Sequence, residues 1–84
     1  MDKKIVFITG ISRGIGLEIA KCFMNNDYFV IGTSRSSFSI NDELNSKNCI
    51  HFSMDVTDRQ QISNCLDELK KINKIPNVLI NNAG

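Results

Sequence analysis

The apolar positions of this chain switch between two spacings. Ile5 to Ile8 is an unbroken β-branched and aromatic run, the pattern of a strand buried on both faces of a parallel sheet. Ile15, Ile19, Ala20, Phe23 and Met24 then recur at helical spacing, and Asn25-Asn26-Asp27 stops that helix. Tyr28 to Ile31 is a second strand-like run ending in Gly32-Thr33, and Cys49 to Met54 is a third. Between them Ser34 to Asn41 reads as a polar loop, with one or two helical turns expected around Asp42-Glu43-Leu44. Thr57-Asp58-Arg59-Gln60 has the spacing of a capping box, in which Thr and Gln satisfy two orphan amides. Behind it Ile62, Cys65, Leu66, Leu69 and Ile72 form one apolar stripe, Pro76 closes the segment, and Val78 to Ile80 is a fourth short strand. The order β-α-β-(α)-β-α-β predicts an α/β fold with a parallel sheet and right-handed crossovers.

Length makes this one unit: 84 residues suffice for one small domain and not for two. A formal net charge of +1 gives no electrostatic case for nucleic acid or an anionic membrane. No apolar run approaches the roughly 18 residues of a transmembrane helix. Cys22, Cys49 and Cys65 are odd in number, lack C-x-x-C spacing and sit in apolar patterns. They are expected as buried free thiols, which points to a cytoplasmic location. His51, the sole histidine, is expected in a structural or surface role, and no metal site is expected.

Three of the five glycines fall within residues 9 to 16, TGISRGIG. The stretch occupies the first strand-to-helix turn, where unpaired amides and the positive end of the helix dipole favour phosphate. Gly10 can make the tight turn, Gly14 can let the backbone approach a pyrophosphate, and Gly16 can let helix and sheet pack closely. The spacing is G-x-x-x-G-x-G with no following Lys-Ser or Lys-Thr, so a P-loop is not indicated.

Thr9-Gly10-Ile11-Ser12-Arg13-Gly14-Ile15-Gly16 resembles the T-G-x-x-x-G-x-G of the short-chain dehydrogenase/reductase family. Two further family features follow in order: an aspartate after the third strand, Asp55, and N-N-A-G after the fourth, Asn81 to Gly84. The resemblance covers the whole chain and implies a Rossmann-type, doubly wound parallel sheet with strand order 3-2-1-4. Residues 1–84 would be the N-terminal part of an NAD(P)-binding domain, incomplete because the chain stops where the family's fourth strand ends. It further implies that the backbone of Gly10, Ile11, Ser12, Arg13, Gly14 and Ile15, with Gly16 behind it, lines the pyrophosphate and adenosine ribose. Asp55 would accept from the adenine amino group with the Val56 amide beside it, and Asn82, Ala83 and Gly84 would border the cofactor ribose. Asp55 also reads as a loop carboxylate or helix-start charge, and the asparagines as sheet-end ties.

An NAD-preferring dinucleotide fold usually places an acid about 20 residues beyond the glycines. Here that region is Gly32-Thr33-Ser34-Arg35-Ser36, with no carboxylate. Arg35 and Arg13 suit a 2′-phosphate instead, so NADP(H) is expected over NAD(H). The family's catalytic serine and Tyr-x-x-x-Lys are absent: the sole tyrosine is Tyr28, with Gly32 four residues on. No catalytic residue is therefore assigned. The expectation is the cofactor-binding part of an NADP(H)-dependent oxidoreductase acting on carbonyls or alcohols, similar to 3-oxoacyl-carrier-protein reductases. A non-catalytic dinucleotide-binding or protein-interaction module is the alternative, and a reading frame running on to a Tyr-x-x-x-Lys would separate the two. The whole protein is expected to be a homo-oligomer, and this chain alone to aggregate or pair through its exposed sheet edge.

Overall fold

The computed structural model describes residues 3–12, 14–35 and 47–82. The helical turns expected at Asp42-Glu43-Leu44 lie outside them. Four parallel strands form one sheet: β1 (Ile5–Thr9), β2 (Phe29–Ser34), β3 (Cys49–Ser53) and β4 (Val78–Ile80). Their spatial order is β3-β2-β1-β4, the order the resemblance implies. Every residue of β1 and β2 is buried, as their unbroken apolar runs require of central strands.

Alternate residues of β1 and β2 point to opposite faces, and each face has its own helix. Val6, Ile8 and Val30 pack with Ile11 and with Ala20 of α1 (Gly14–Asn25), joined by Leu17 and Phe23. Ile5, Phe7, Phe29 and Ile31 pack with Met54 and with Cys65 and Leu69 of α2 (Arg59–Lys71). The β1–α1–β2 connection thus covers one face and the β3–α2–β4 connection the other. No helix of the described residues is long and apolar enough to cross a membrane.

The structure moves several boundaries. Tyr28 does not start β2, because its amide turns back to the Phe23 carbonyl at 3.0 Å and its ring meets Phe23 edge-on, centroids 4.8 Å apart. Phe29, whose amide bonds the Lys4 carbonyl at 2.8 Å, is the first residue of the ladder. The third strand stops at Ser53, one residue before Met54. The cap of α2 is Asp58 rather than Thr57: its side chain accepts from the amides of Gln60 and Gln61, at 3.0 and 3.3 Å, and Gln61 Nε2 reaches back to it at 3.1 Å. Thr57 is engaged elsewhere, its amide and hydroxyl both donating to Asp55. Ile72 stands beyond the last turn of α2 and is exposed, so the buried stripe narrows to Cys65 and Leu69. Of the three thiols Cys65 is buried, Cys49 half-buried and Cys22 exposed, which corrects the expectation of burial for Cys22.

Thr33 is 1% exposed, and its hydroxyl has no hydrogen-bond partner. Burying a hydroxyl unpaired costs about 1–3 kcal/mol by protein mutational measures. Valine keeps the β-branched shape without the polar atom. Thr33→Val should therefore raise stability by about 1–2 kcal/mol, read as a higher denaturation midpoint. A lower midpoint would show that the hydroxyl does form a bond.

Candidate functional site at the carboxyl end of the sheet

The strand order reverses between β1 and β4: β2 and β3 lie to one side of β1 and β4 to the other. This is the switch point at which open α/β sheets bind ligands, beyond the carboxyl ends of the strands. The residues singled out from the sequence gather along that end.

The glycine turn is built on β2. The amides of Gly10 and Ile11 both donate to the Thr33 carbonyl, at 2.8 and 2.9 Å. Gly10 adopts φ 73° and Gly14 φ 63°, left-handed conformations that glycine enters without steric cost. A side chain at Gly14 would find nothing within 4 Å, so space stands open in front of this turn. Gly16 is different. A β-carbon there would overlap the Gly10 carbonyl oxygen and come within 2.5 Å of Asn82 Nδ2. Gly16 lets α1 sit directly against the turn, while Gly14 keeps an outer surface clear. Ile11 points inward and is fully buried, its side chain resting where Gly32 has none. Gly32 was not singled out from the sequence; the available signal was a glycine inside a strand pattern, which marks close approach of another group.

The asparagines after β4 tie this end together. Asn82 donates from its amide to Thr9 Oγ1 at 2.9 Å and from Nδ2 to the Gly10 carbonyl at 3.0 Å. Thr9 Oγ1 also lies 3.3 Å from Asn81 Oδ1. Asn77, which precedes β4, makes a similar tie at the opposite, amino end of the sheet: it bonds both backbone groups of Ile5, accepting through its side chain and donating from its amide, each at 2.8 Å. Arg13, Ala83 and Gly84 lie outside the described residues.

Asp55 and Arg35 stand at the ends of neighbouring strands β3 and β2. Asp55 Oδ1 accepts from the Thr57 hydroxyl at 2.7 Å and the Thr57 amide at 2.9 Å. These two bonds, the hydroxyl first, hold the Asp55 carboxyl below its ordinary value of 3.8, and Arg35 adds a smaller pull in the same direction. At neutral pH Asp55 is thus an ionised acceptor. Its amide donates to Gln61 Oε1 at 2.8 Å, which fixes the loop carrying Asp55 and Val56 to the start of α2. Arg35 is exposed, one residue beyond the buried Ser34.

The chain is similar to known proteins over nearly its whole length. The short chain dehydrogenase family pattern matches residues 4–84. An oxidoreductase of Botryotinia fuckeliana, BOA17, is 39% identical over 85 residues, covering 96% of this chain and 31% of that protein. The 3-oxoacyl-[acyl-carrier-protein] reductase FabG of Haemophilus influenzae is 36% identical over 87 residues, covering all of this chain and 36% of that one. Among solved structures, ElxO with NADP bound superposes with a TM-score of 0.88 at 38% identity, covering 99% of this chain and 36% of that one. A short chain dehydrogenase of Leptospira borgpetersenii with bound NAD+ gives 0.86 at 33% identity, covering 98% and 32%. The chain therefore spans about a third of the length of these relatives. With the pattern matched almost end to end and the sheet order in agreement, the chain belongs to the short-chain dehydrogenase family.

Proposed function

We propose that this chain is the cofactor-binding part of an NADP(H)-dependent oxidoreductase that reduces a carbonyl or oxidises an alcohol. The observation that carries the cofactor preference is Arg35, exposed at the carboxyl end of β2, with no carboxylate in Gly32 to Ser36. A guanidinium there can meet a 2′-phosphate with charge-assisted hydrogen bonds. The open space at Gly14 fits a pyrophosphate approaching the turn. Ser12, Arg13, Gly14 and Ile15 would line it, since the Gly10 and Ile11 amides are committed to Thr33. Asp55, ionised and held through Oδ1 by Thr57, is the acceptor for the adenine amino group, and Val56 offers its amide beside it. Asn82, Ala83 and Gly84 border the ribose.

When bound, the nicotinamide supplies or takes up the hydride. The residues of this chain hold and orient the cofactor; none serves as the proton donor. Tyr28, the sole tyrosine, packs against Phe23 at the opposite end of the sheet. A small carbonyl compound of the 3-oxoacyl type is the substrate class we favour, by likeness to the FabG relatives. The same reading makes the whole protein cytoplasmic and homo-oligomeric. The outer edge of β4, the terminal strand in the sheet order, is then the surface through which the isolated chain pairs or aggregates.

Titration of the purified protein with NADPH and NADH tests the preference. The native protein should bind NADPH more tightly, and Arg35→Asp should lower NADPH affinity on the order of ten- to a hundredfold, reversing or abolishing the preference. Equal affinities before substitution would defeat the assignment.

A further inference from the structure

Ser34, the last residue of β2, is 4% exposed, and its Oγ lies 2.8 Å from His51 Nε2 on β3. The register sets His51 opposite Gly32 and Ser34 opposite Ser53. The imidazole therefore meets no side chain directly across the ladder, and it reaches diagonally along the same face to Ser34. The Ser34 backbone is fixed as well, its carbonyl accepting from the Met54 amide at 2.8 Å. Side chain and main chain of this residue are thus both held by the third strand and its exit. Arg35, one residue on, is exposed. Partial burial lowers the pKa of His51, which keeps the ring neutral and able to offer one donor and one acceptor.

We propose that His51 is a positioning residue for cofactor selectivity: by holding Ser34 Oγ it fixes the stalk from which Arg35 reaches the cofactor's 2′-phosphate. This rests on the NADP(H) reading given above. Arginine loses rotamer and backbone freedom when it engages a phosphate. A root already fixed at both its carbonyl and its side chain leaves less freedom to lose. The benefit falls chiefly on NADP(H), because NAD(H) carries no 2′-phosphate for Arg35 to hold.

The test compares affinities of the purified protein for NADPH and NADH, read from the fluorescence of the reduced nicotinamide. His51→Ala and Ser34→Ala should each lower NADPH affinity about three- to tenfold, as for loss of one ordinary hydrogen bond, with NADH affinity unchanged. The double variant should lose less than the two single losses combined, since both remove the shared contact between Ser34 and His51. His51→Gln, whose side-chain amide can reach Ser34, should restore most of the loss. Should His51→Ala fail to fold, Ser34→Ala and His51→Gln carry the comparison. Parallel losses for both cofactors would reduce the pair to a structural role and overturn the proposal, as would no loss for either. A native protein without preference for NADPH would instead remove the reading beneath it, and that result is visible before any substitution is made.

Discussion

Gly16→Ala should lower the stability of this protein by about 3 kcal/mol or more, or prevent folding outright. The direction is opposite to the usual expectation. Alanine in place of a helical glycine ordinarily stabilises by about 0.8–1.0 kcal/mol, because it restricts the unfolded chain. Here the added carbon would overlap the Gly10 carbonyl oxygen and lie 2.8 Å from the Gly10 carbonyl carbon. These are backbone atoms and cannot step aside by changing a rotamer. Gly10 is itself pinned, through its amide to Thr33 and through its carbonyl to Asn82. Relief requires α1 to lift away from the sheet, opening the packing of Ala20 against Val6, Ile8 and Val30. Overpacking of this kind typically costs about 1–3 kcal/mol where side chains can adjust, and more where they cannot. Against a domain stability of about 5–15 kcal/mol that is a large fraction. Denaturant unfolding of the native protein and the variant measures it. A midpoint equal to or above the native one would mean that the helix and turn are not in contact.

Legibility in the sequence followed from how local each signal was. The strands, the helices and the two-faced core could be anticipated because β1 and β2 carry unbroken apolar runs and α1 and α2 carry helical periodicity. Those patterns are imposed by burial on each segment separately. The sheet order followed instead from the family resemblance. The start of β2 was less legible, since Tyr28 is as apolar as Phe29 in a pattern. What separates them is a backbone bond to Phe23 and an edge-on ring contact, neither of which periodicity encodes. The α2 cap shifted by one residue for a similar reason. Thr57 and Asp58 are both good caps, and the choice is decided by Asp55, which takes both the amide and the hydroxyl of Thr57. At the site, the glycines announced themselves by spacing, and Asp55 only through the family resemblance. Gly32 did not, because its reason for being glycine is Ile11, twenty-one positions away in the chain. Likewise the bond from Ser34 to His51 depends on strand register, which sequence alone leaves open.

Gly14 separates ligand binding from folding where Gly16 joins them to packing, and its substitution should affect mainly affinity. Both glycines belong to one motif, yet a side chain at Gly14 meets open space. The difficulty with a simple replacement is the backbone, since φ 63° disfavours most L-residues by about 1–2 kcal/mol. A branched substitution such as Gly14→Val would combine that strain with any effect on the ligand. Asparagine tolerates the left-handed region better than other non-glycine residues, so Gly14→Asn adds a side chain with little strain. If the open space is where a pyrophosphate approaches, the asparagine side chain occupies it. Affinity for NADPH should then fall on the order of a hundredfold, comparable to overpacking by about 3 kcal/mol. The melting midpoint should move by no more than about 5 °C, the shift expected for a loss near 1 kcal/mol in a domain of this size. Calorimetric titration beside a thermal melt reads both quantities on the same preparation. A large fall in melting midpoint with unchanged affinity would place Gly14 with Gly16, as a packing residue. Unchanged affinity with an unchanged melt would show that the phosphate does not approach the turn on this side.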